Sequence, residues 1–196
     1  LDAFHNNKLV IVLKARQLGL TWLALAYALW LMLFHPIATI ALFSRRDTES
    51  IYLLSQERLR GMYKRLPPWM QFKYSPVESA HNWQLPNQSS VKAFPANAGD
   101  SYTFTLAIVD EADLAPDLAR LMTSVKPTID DNGKMFLISR ADKSHPESEF
   151  KNIYRGAKAG KTDWKHIFLP WQTRPERDDA WYEAQRQDIL LRTGAT

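Results

Sequence analysis

Between Leu9 and Phe34 the chain carries a β-rich apolar stretch, a short cationic loop and a long apolar segment, and few folds accommodate these three in that order. The first piece, Leu9-Val10-Ile11-Val12-Leu13, holds three β-branched residues and no polar one, which predicts a parallel strand buried on both faces. The last, Thr21 to Phe34, is apolar nearly all round, which predicts a buried helix ended by His35-Pro36. It is shorter than the ~20 apolar residues a membrane span needs, so no membrane association is expected. The piece between them, Lys14-Ala15-Arg16-Gln17-Leu18-Gly19-Leu20-Thr21, has the outline of a phosphate-binding loop. Such a loop holds phosphate oxygens on backbone N–H groups and on the amino end of the helix that follows.

Measured against G-x-x-x-x-G-K-[ST], Gly19 and Thr21 stand in place, while Leu20 occupies the lysine position and Lys14 that of the first glycine. The cation has moved to the start of the loop. A lysine is a compact charge on a flexible four-carbon stem, so from position 14 it reaches the same β/γ-phosphates. The plainer reading is a strand, a turn and a helix with exposed cations. A second element decides between them. Leu106-Ala107-Ile108-Val109 is an apolar strand that runs into Asp110-Glu111-Ala112-Asp113. In NTP hydrolases a carboxylate at such a strand end holds Mg²⁺ and the adjacent glutamate deprotonates the attacking water. Asp110 with the Thr21 hydroxyl is therefore the candidate metal site and Glu111 the candidate base, Asp113 being the next candidate. The alternative, an acidic helix start placed to suit the macrodipole, loses ground once the loop upstream is counted. A third apolar strand, Lys134 to Ile138, ends in Ser139 and Arg140. Ligands of open α/β sheets sit beyond the carboxyl ends of the strands. Ser139 and Arg140 are thus expected at the crevice of Lys14 and Asp110, as γ-phosphate sensors or as an ordinary strand end.

Together these residues resemble the ATPase domain of the large terminase subunit, the motor that packages DNA into tailed-phage capsids. Lys14 to Thr21 is similar to the family's variant Walker A, which carries Arg-Gln-x-Gly inside the loop and in some members has its lysine at the loop's start. Ile108-Val109-Asp110-Glu111-Ala112 is similar to its Walker B. Thr39 to Phe43, with Ser44-Arg45-Arg46-Asp47 and a helix to Arg65, is similar to its second strand and helix. The strand ending at Ser139 resembles its coupling motif, and Phe168-Leu169-Pro170-Trp171 with Asp179-Ala180-Trp181-Tyr182 the passage toward its nuclease domain.

The resemblance implies an α/β P-loop NTPase of the ASCE/RecA-like type, with a mostly parallel central sheet flanked by helices. It implies ATP and Mg²⁺ as ligands, and a nucleotide-binding loop of Lys14, Ala15, Arg16, Gln17, Leu18, Gly19, Leu20 and Thr21. Glu111 and Arg16 become catalytic, Asp110 and Thr21 the metal ligands, and Ser139 and Arg140 the coupling and sensor pair, with Arg45, Arg46 and Arg140 as further candidate fingers. Double-stranded DNA, the capsid portal, the small terminase subunit and a ring of like subunits become the expected partners, the isolated domain being monomeric, in the host cytoplasm.

The chain departs from the family at Leu20, and at Asn97 to Thr105, where many relatives carry an arginine; an adenine-contacting glutamine upstream of the first strand is expected to be absent. A net charge of +4 over 196 residues is mildly basic, compatible with DNA. The absence of cysteine rules out disulfides and thiolate metal sites. Strands and helices alternate through residue 66 until Pro67-Pro68. Beyond it, Asn82–Leu85 and Ser90–Phe94 predict a hairpin, Phe150–Ala159 a helix, Trp164–Leu169 a strand and Asp179–Arg192 a second, amphipathic helix. Trp22 and Trp30, two turns apart, are expected in the core, and Trp69, Trp171 and Trp181 to pin segments at element ends. Residues 1–170 read as an ATPase domain and 171–196 as a linker and helix toward a nuclease domain. No strand-borne acid set follows residue 170, so nuclease activity is not expected here. Two rival readings stand beside the motor: a helicase-like DNA-dependent ATPase, and a degenerate NTPase fold that binds nucleotide or DNA without turnover, which Leu20 favours.

Overall fold

Alternate residues of a strand face opposite sides of its sheet, so a strand with no polar residue needs a covering layer on each side. The strand β1 (Leu9–Lys14) meets this condition by sending Val10 and Val12 into one core and Leu9 and Ile11 into another. The computed structural model describes residues 1–95, 103–129 and 133–194. Most of the stretch from Asn97 to Thr105, where relatives carry an arginine, lies outside them.

Among the described residues seven further strands join β1: β2 (Thr39–Ser44), β3 (Val77–Glu78), β4 (Asn82–Gln84), β5 (Ser90–Pro95), β6 (Leu106–Asp110), β7 (Lys134–Ser139) and β8 (Lys165–Leu169). They form one sheet in the order β3-β4-β5-β2-β6-β7-β1-β8. From β5 to β8 every neighbouring pair is parallel, and the expected hairpin, β4 against β5, adds an antiparallel edge with β3 beyond it. The helices are α1 (Asp2–Asn6), α2 (Leu20–Phe34), α3 (Asp47–Leu54), α4 (Leu59–Lys64), α5 (Leu118–Val125), α6 (Glu149–Lys158) and α7 (Asp179–Thr193). One core lies between the sheet and α2, α3 and α4, and holds Val10, Leu42, Ile108 and Phe136. The other lies under α5 and α6, and holds Ile11, Phe43, Val109 and Leu137. The mostly parallel, helix-flanked α/β sheet is the architecture expected. Among the described residues, no helix is long and apolar enough to cross a membrane.

The structure corrects three expectations. The helix foreseen up to Arg65 is two helices. The Ser55 hydroxyl accepts the Glu57 N–H at 3.2 Å, and the chain turns before α4 begins. A Cβ on Gly61 would lie 1.9 Å from the Gln56 carbonyl oxygen, so this close return of the chain requires glycine there. The second concerns α2, which is not buried all round: Trp22 is 38% exposed, Trp30 36% and Phe34 58%. One side of α2 packs on the sheet and α4 covers only part of the rest, so both tryptophans line the outer face. Third, Trp69 pins nothing and is 80% exposed, whereas Trp171 does hold α7, with its ring 5.8 Å from Trp181 and stacked on Tyr182 at 5.1 Å.

Candidate active site

At Lys14 the strand β1 runs out, and the Ala15 N–H extends its ladder by one bond to the Leu169 carbonyl at the end of β8. The chain then turns back with Gln17 at φ +60° and Gly19 at φ +74°, both left-handed. Glycine makes the second of these cheap, and α2 starts on the next residue. The sequence thus delivers the amino end of a fifteen-residue helix to the carboxyl edge of the sheet, where its unpaired N–H groups and dipole favour an anion. Leu20 faces mainly inward: it is 9% exposed and belongs to the core beneath α2, and only the remainder of its surface lines the cleft.

Asp110 closes β6 two strands away, and the first turn of α2 brings Thr21 to it. The Thr21 hydroxyl lies 3.2 Å from each carboxylate oxygen. Burial pushes the Asp110 carboxyl up to about 6, against the pull of the Lys14 charge and with a further push from Glu111. A carboxylate held out of water beside a hydroxyl and a phosphate-type loop suits Mg²⁺, which prefers one or two carboxylates completed by phosphate and water. Thr21 and Asp110 are the residues present that fit such an ion. Among the described residues no cluster of three or more His, Cys, Asp or Glu forms an all-protein metal site.

Glu111 follows in a left-handed conformation, φ +52° and ψ +39°, unusual for a residue with a side chain. Such geometry costs of order 1–3 kcal/mol and persists where the surroundings impose it. Its Oε2 is buried, accepts no hydrogen bond, and lies 3.8 Å from Arg140 Nε. Lys14, Gln17 to Trp22, Asp110 and Glu111 line one cleft of about 480 Å³, walled on its far side by Ser44, Glu49, Tyr52, Leu53 and Arg58. An adjoining recess shares Lys14, Gln17, Glu49 and Glu111 and adds Arg16, Arg45, Leu114 and Arg140. Of the candidate arginines, 16, 45 and 140 therefore meet beside Glu111, while Arg46 is exposed and lines neither space.

Two residues have different surroundings from those expected. Ser139 is fully buried and does not open on the crevice; its hydroxyl accepts the Asp113 N–H at 3.0 Å. Asp113, the reserve base, has no exposed side-chain surface. It accepts bonds from the Ser148 hydroxyl and the Asp142 N–H, and pairs with Lys151 Nζ at 3.1 Å. A carboxylate so committed is a structural tie between the turn after β6 and the segment after β7. Arg16 contributes its backbone as well, its carbonyl accepting from Arg177 at 2.9 Å.

Sequence reasoning passed over Glu49, Tyr52, Arg58 and Arg177. Only Glu49 carried a visible signal: its i,i+4 spacing from Arg45, which it pairs with at 2.8 Å. Ser44 also donates to it, at 3.4 Å.

No protein-family model matches the chain, and no curated protein does. Solved structures do. The ATPase domain of the large terminase of Thermus phage P74-26 superposes with a TM-score of 0.70 at 15% identity, over 92% of this chain and 83% of that one. The large terminase of bacteriophage HK97 gives 0.68 at 17% identity, over 93% of this chain and 39% of its own. The large terminase of a further, thermophilic bacteriophage, solved with ATP-γ-S, gives 0.64 at 14% identity, over 93% and 44%. The chain thus spans most of an isolated ATPase domain and under half of the larger terminase chains. At such identities the likeness is one of fold, and the fold of this chain is the RecA-like fold of phage large terminase ATPase domains.

Proposed function

We propose that this chain is an Mg²⁺-dependent ATPase, the motor domain of a terminase that drives double-stranded DNA into a capsid. The observation that carries the reading is the convergence of Lys14, Thr21, Asp110 and Glu111 on one cleft at the carboxyl ends of β1 and β6. In this reading the loop N–H groups and Lys14 hold the phosphates, with Leu20 committed to the core. Thr21 and Asp110 hold Mg²⁺, which supplies charge neutralisation on the β- and γ-phosphates. Glu111 receives the proton of the attacking water, its carboxylate lying beside the Arg140 guanidinium at 3.8 Å. Arg16, Arg45 and Arg140 form the reservoir from which charge on the transferring phosphoryl group is met. Ser139, bonded to the backbone of the turn after Glu111, ties the strand β7 to the base and so to the coupling step.

Residues 1–170 form the ATPase unit and 171–196 the passage to a further domain. The partners are double-stranded DNA, the portal, the small terminase subunit and neighbouring copies in a ring, all in the host cytoplasm. ATP turnover by the purified chain, with and without Mg²⁺ and with Glu111→Gln, tests the enzyme. Metal-dependent phosphate release lost in the variant supports it, and nucleotide binding without turnover in the parent would point to the degenerate fold.

A further inference from the structure

Besides the phosphate-type groups, the cleft is lined by three residues with no part in that chemistry. The Arg58 guanidinium carbon lies 4.6 Å from the centre of the Trp22 ring and 4.7 Å from that of Tyr52. A guanidinium lying over two rings is restrained by both while its N–H groups still donate at its edge. All three side chains line the same cleft as Lys14, Thr21 and Asp110, beside the apolar wall of Leu53. The arrangement has local causes. Trp22 directly follows Thr21, Tyr52 lies on α3, and the break between α3 and α4 turns the chain so that Arg58 meets both rings.

We infer that Trp22, Tyr52 and Arg58 form the base-binding end of the cleft, taking the purine of a nucleoside triphosphate whose phosphates lie on the loop from Lys14 to Thr21. The inference rests on the nucleotide reading given above. A purine presents ring-nitrogen acceptors at its edge and a π-face, and the Arg58 N–H edge and the half-exposed Trp22 and Tyr52 rings are the counterparts of these. Arg58 reads the base and not the phosphates because the phosphate end already has Lys14 and the start of α2, whereas Arg58 stands on the α3–α4 side. The short helix α1 offers no rival: Lys134 at the start of β7 donates to the carbonyls of His5 and Asn7, which places α1 at the opposite, amino end of the strands.

Competition titrations with ATP and with inorganic tripolyphosphate, against a fluorescent ATP analogue in Mg²⁺, separate the two ends of the site. The parent should bind ATP about tenfold or more tightly than tripolyphosphate. Arg58→Ala and Trp22→Ala should each lose about tenfold in ATP affinity with tripolyphosphate unchanged, and Arg58→Lys should recover only part of the loss. Lys14→Ala should weaken both ligands. Thermal unfolding of each variant separates lost contact from lost fold. Equal weakening of both ligands by Arg58→Ala would make Arg58 a phosphate contact and overturn the inference. Unchanged selectivity combined with weakened DNA binding would make it a DNA contact, with the same result. A parent that binds neither ligand would remove the nucleotide reading itself, an outcome distinct from loss of selectivity in the variants.

Discussion

Arg177 and Arg16 meet across most of the chain: the guanidinium of the first donates to the backbone carbonyl of the second at 2.9 Å, while its plane lies over the Trp181 ring at 5.0 Å. The segment leading into α7 is thereby attached to the phosphate-type loop itself. Arg177→Ala should release the loop and cost a few-fold in nucleotide affinity. The change in unfolding free energy should stay below about 1 kcal/mol, because the bond is solvent-exposed. Calorimetric titration and thermal melts check both halves, and an unchanged affinity would show that the loop holds its shape unaided.

Leu20 and Lys14 should separate cleanly. Lys14→Ala should nearly abolish turnover in a protein that remains folded. Leu20→Ala removes a core side chain and should cost about 2–5 kcal/mol of stability, yet leave turnover per folded molecule close to parental. Phosphate-release assays paired with denaturant melts distinguish the effects, and equal loss of turnover in both variants would remove Lys14 from its role.

Glu111 carries its chemistry on a strained backbone. Glu111→Gln should keep nucleotide affinity and lose hydrolysis, since the amide preserves shape without accepting a proton. Glu111→Gly should also be inactive, but more stable than Glu111→Gln by about 1 kcal/mol, because glycine adopts φ +52° freely. A less stable glycine variant would mean that the left-handed turn is not under strain.

Asp110 should impose a pH dependence on the ligand-free protein. Its carboxyl stands at about 6 in the fold against an ordinary value of 3.8, chiefly through burial. The folded state therefore binds this proton more tightly than the unfolded chain does. The penalty is absent below about pH 4, grows between pH 4 and 6, and is complete above, where it amounts to roughly 3 kcal/mol. Asp110→Asn should accordingly melt higher than the parent at pH 7.5, with the gap closing toward pH 4, while losing the Mg²⁺-dependent part of nucleotide binding. A gap that does not change with pH would rule out the buried charge as its cause.

Asp113 should behave as structure. Asp113→Ala leaves Lys151 with only the carbonyls of Asp142 and His145 and releases the Ser148 hydroxyl and the Asp142 N–H, for a cost of about 1–3 kcal/mol. Protease sensitivity appearing first within residues 140–151 is the expected signature.

Much of the site was legible because its elements are local. The strand β1, the loop and α2 are consecutive, so the apolar run, Gly19 and Thr21 announce a strand, a turn and a helix without knowledge of the rest. Asp110 and Glu111 were legible for the same reason, as acids at the end of an apolar strand. What escaped depends on contacts between distant residues. Arg58 becomes part of the cleft only because the chain breaks after Leu54, and nothing in Ser55-Gln56-Glu57 marks that break as strongly as a proline would. Ser139 and Asp113 have the same residue types whether they face a crevice or each other, and only the register of β6 against β7 decides. The composition of α2 was read as burial, although an apolar face and a buried face differ until the neighbouring helix is in place.

The sheet order has a consequence for the history of each molecule. β1 is made early, yet its two partners in the sheet are β7 and β8, which begin at Lys134 and Lys165. During synthesis the most apolar strand of the chain waits with both edges open while more than a hundred residues are added, a condition that favours slow folding and invites mispairing. The loop at Lys14 cannot take its final shape until Leu169 arrives to accept the Ala15 N–H. Ribosome-bound chains cut short before β8 should therefore hold an incomplete sheet and depend on chaperones, and the capacity to engage a ligand should emerge abruptly, near the end of translation of this stretch.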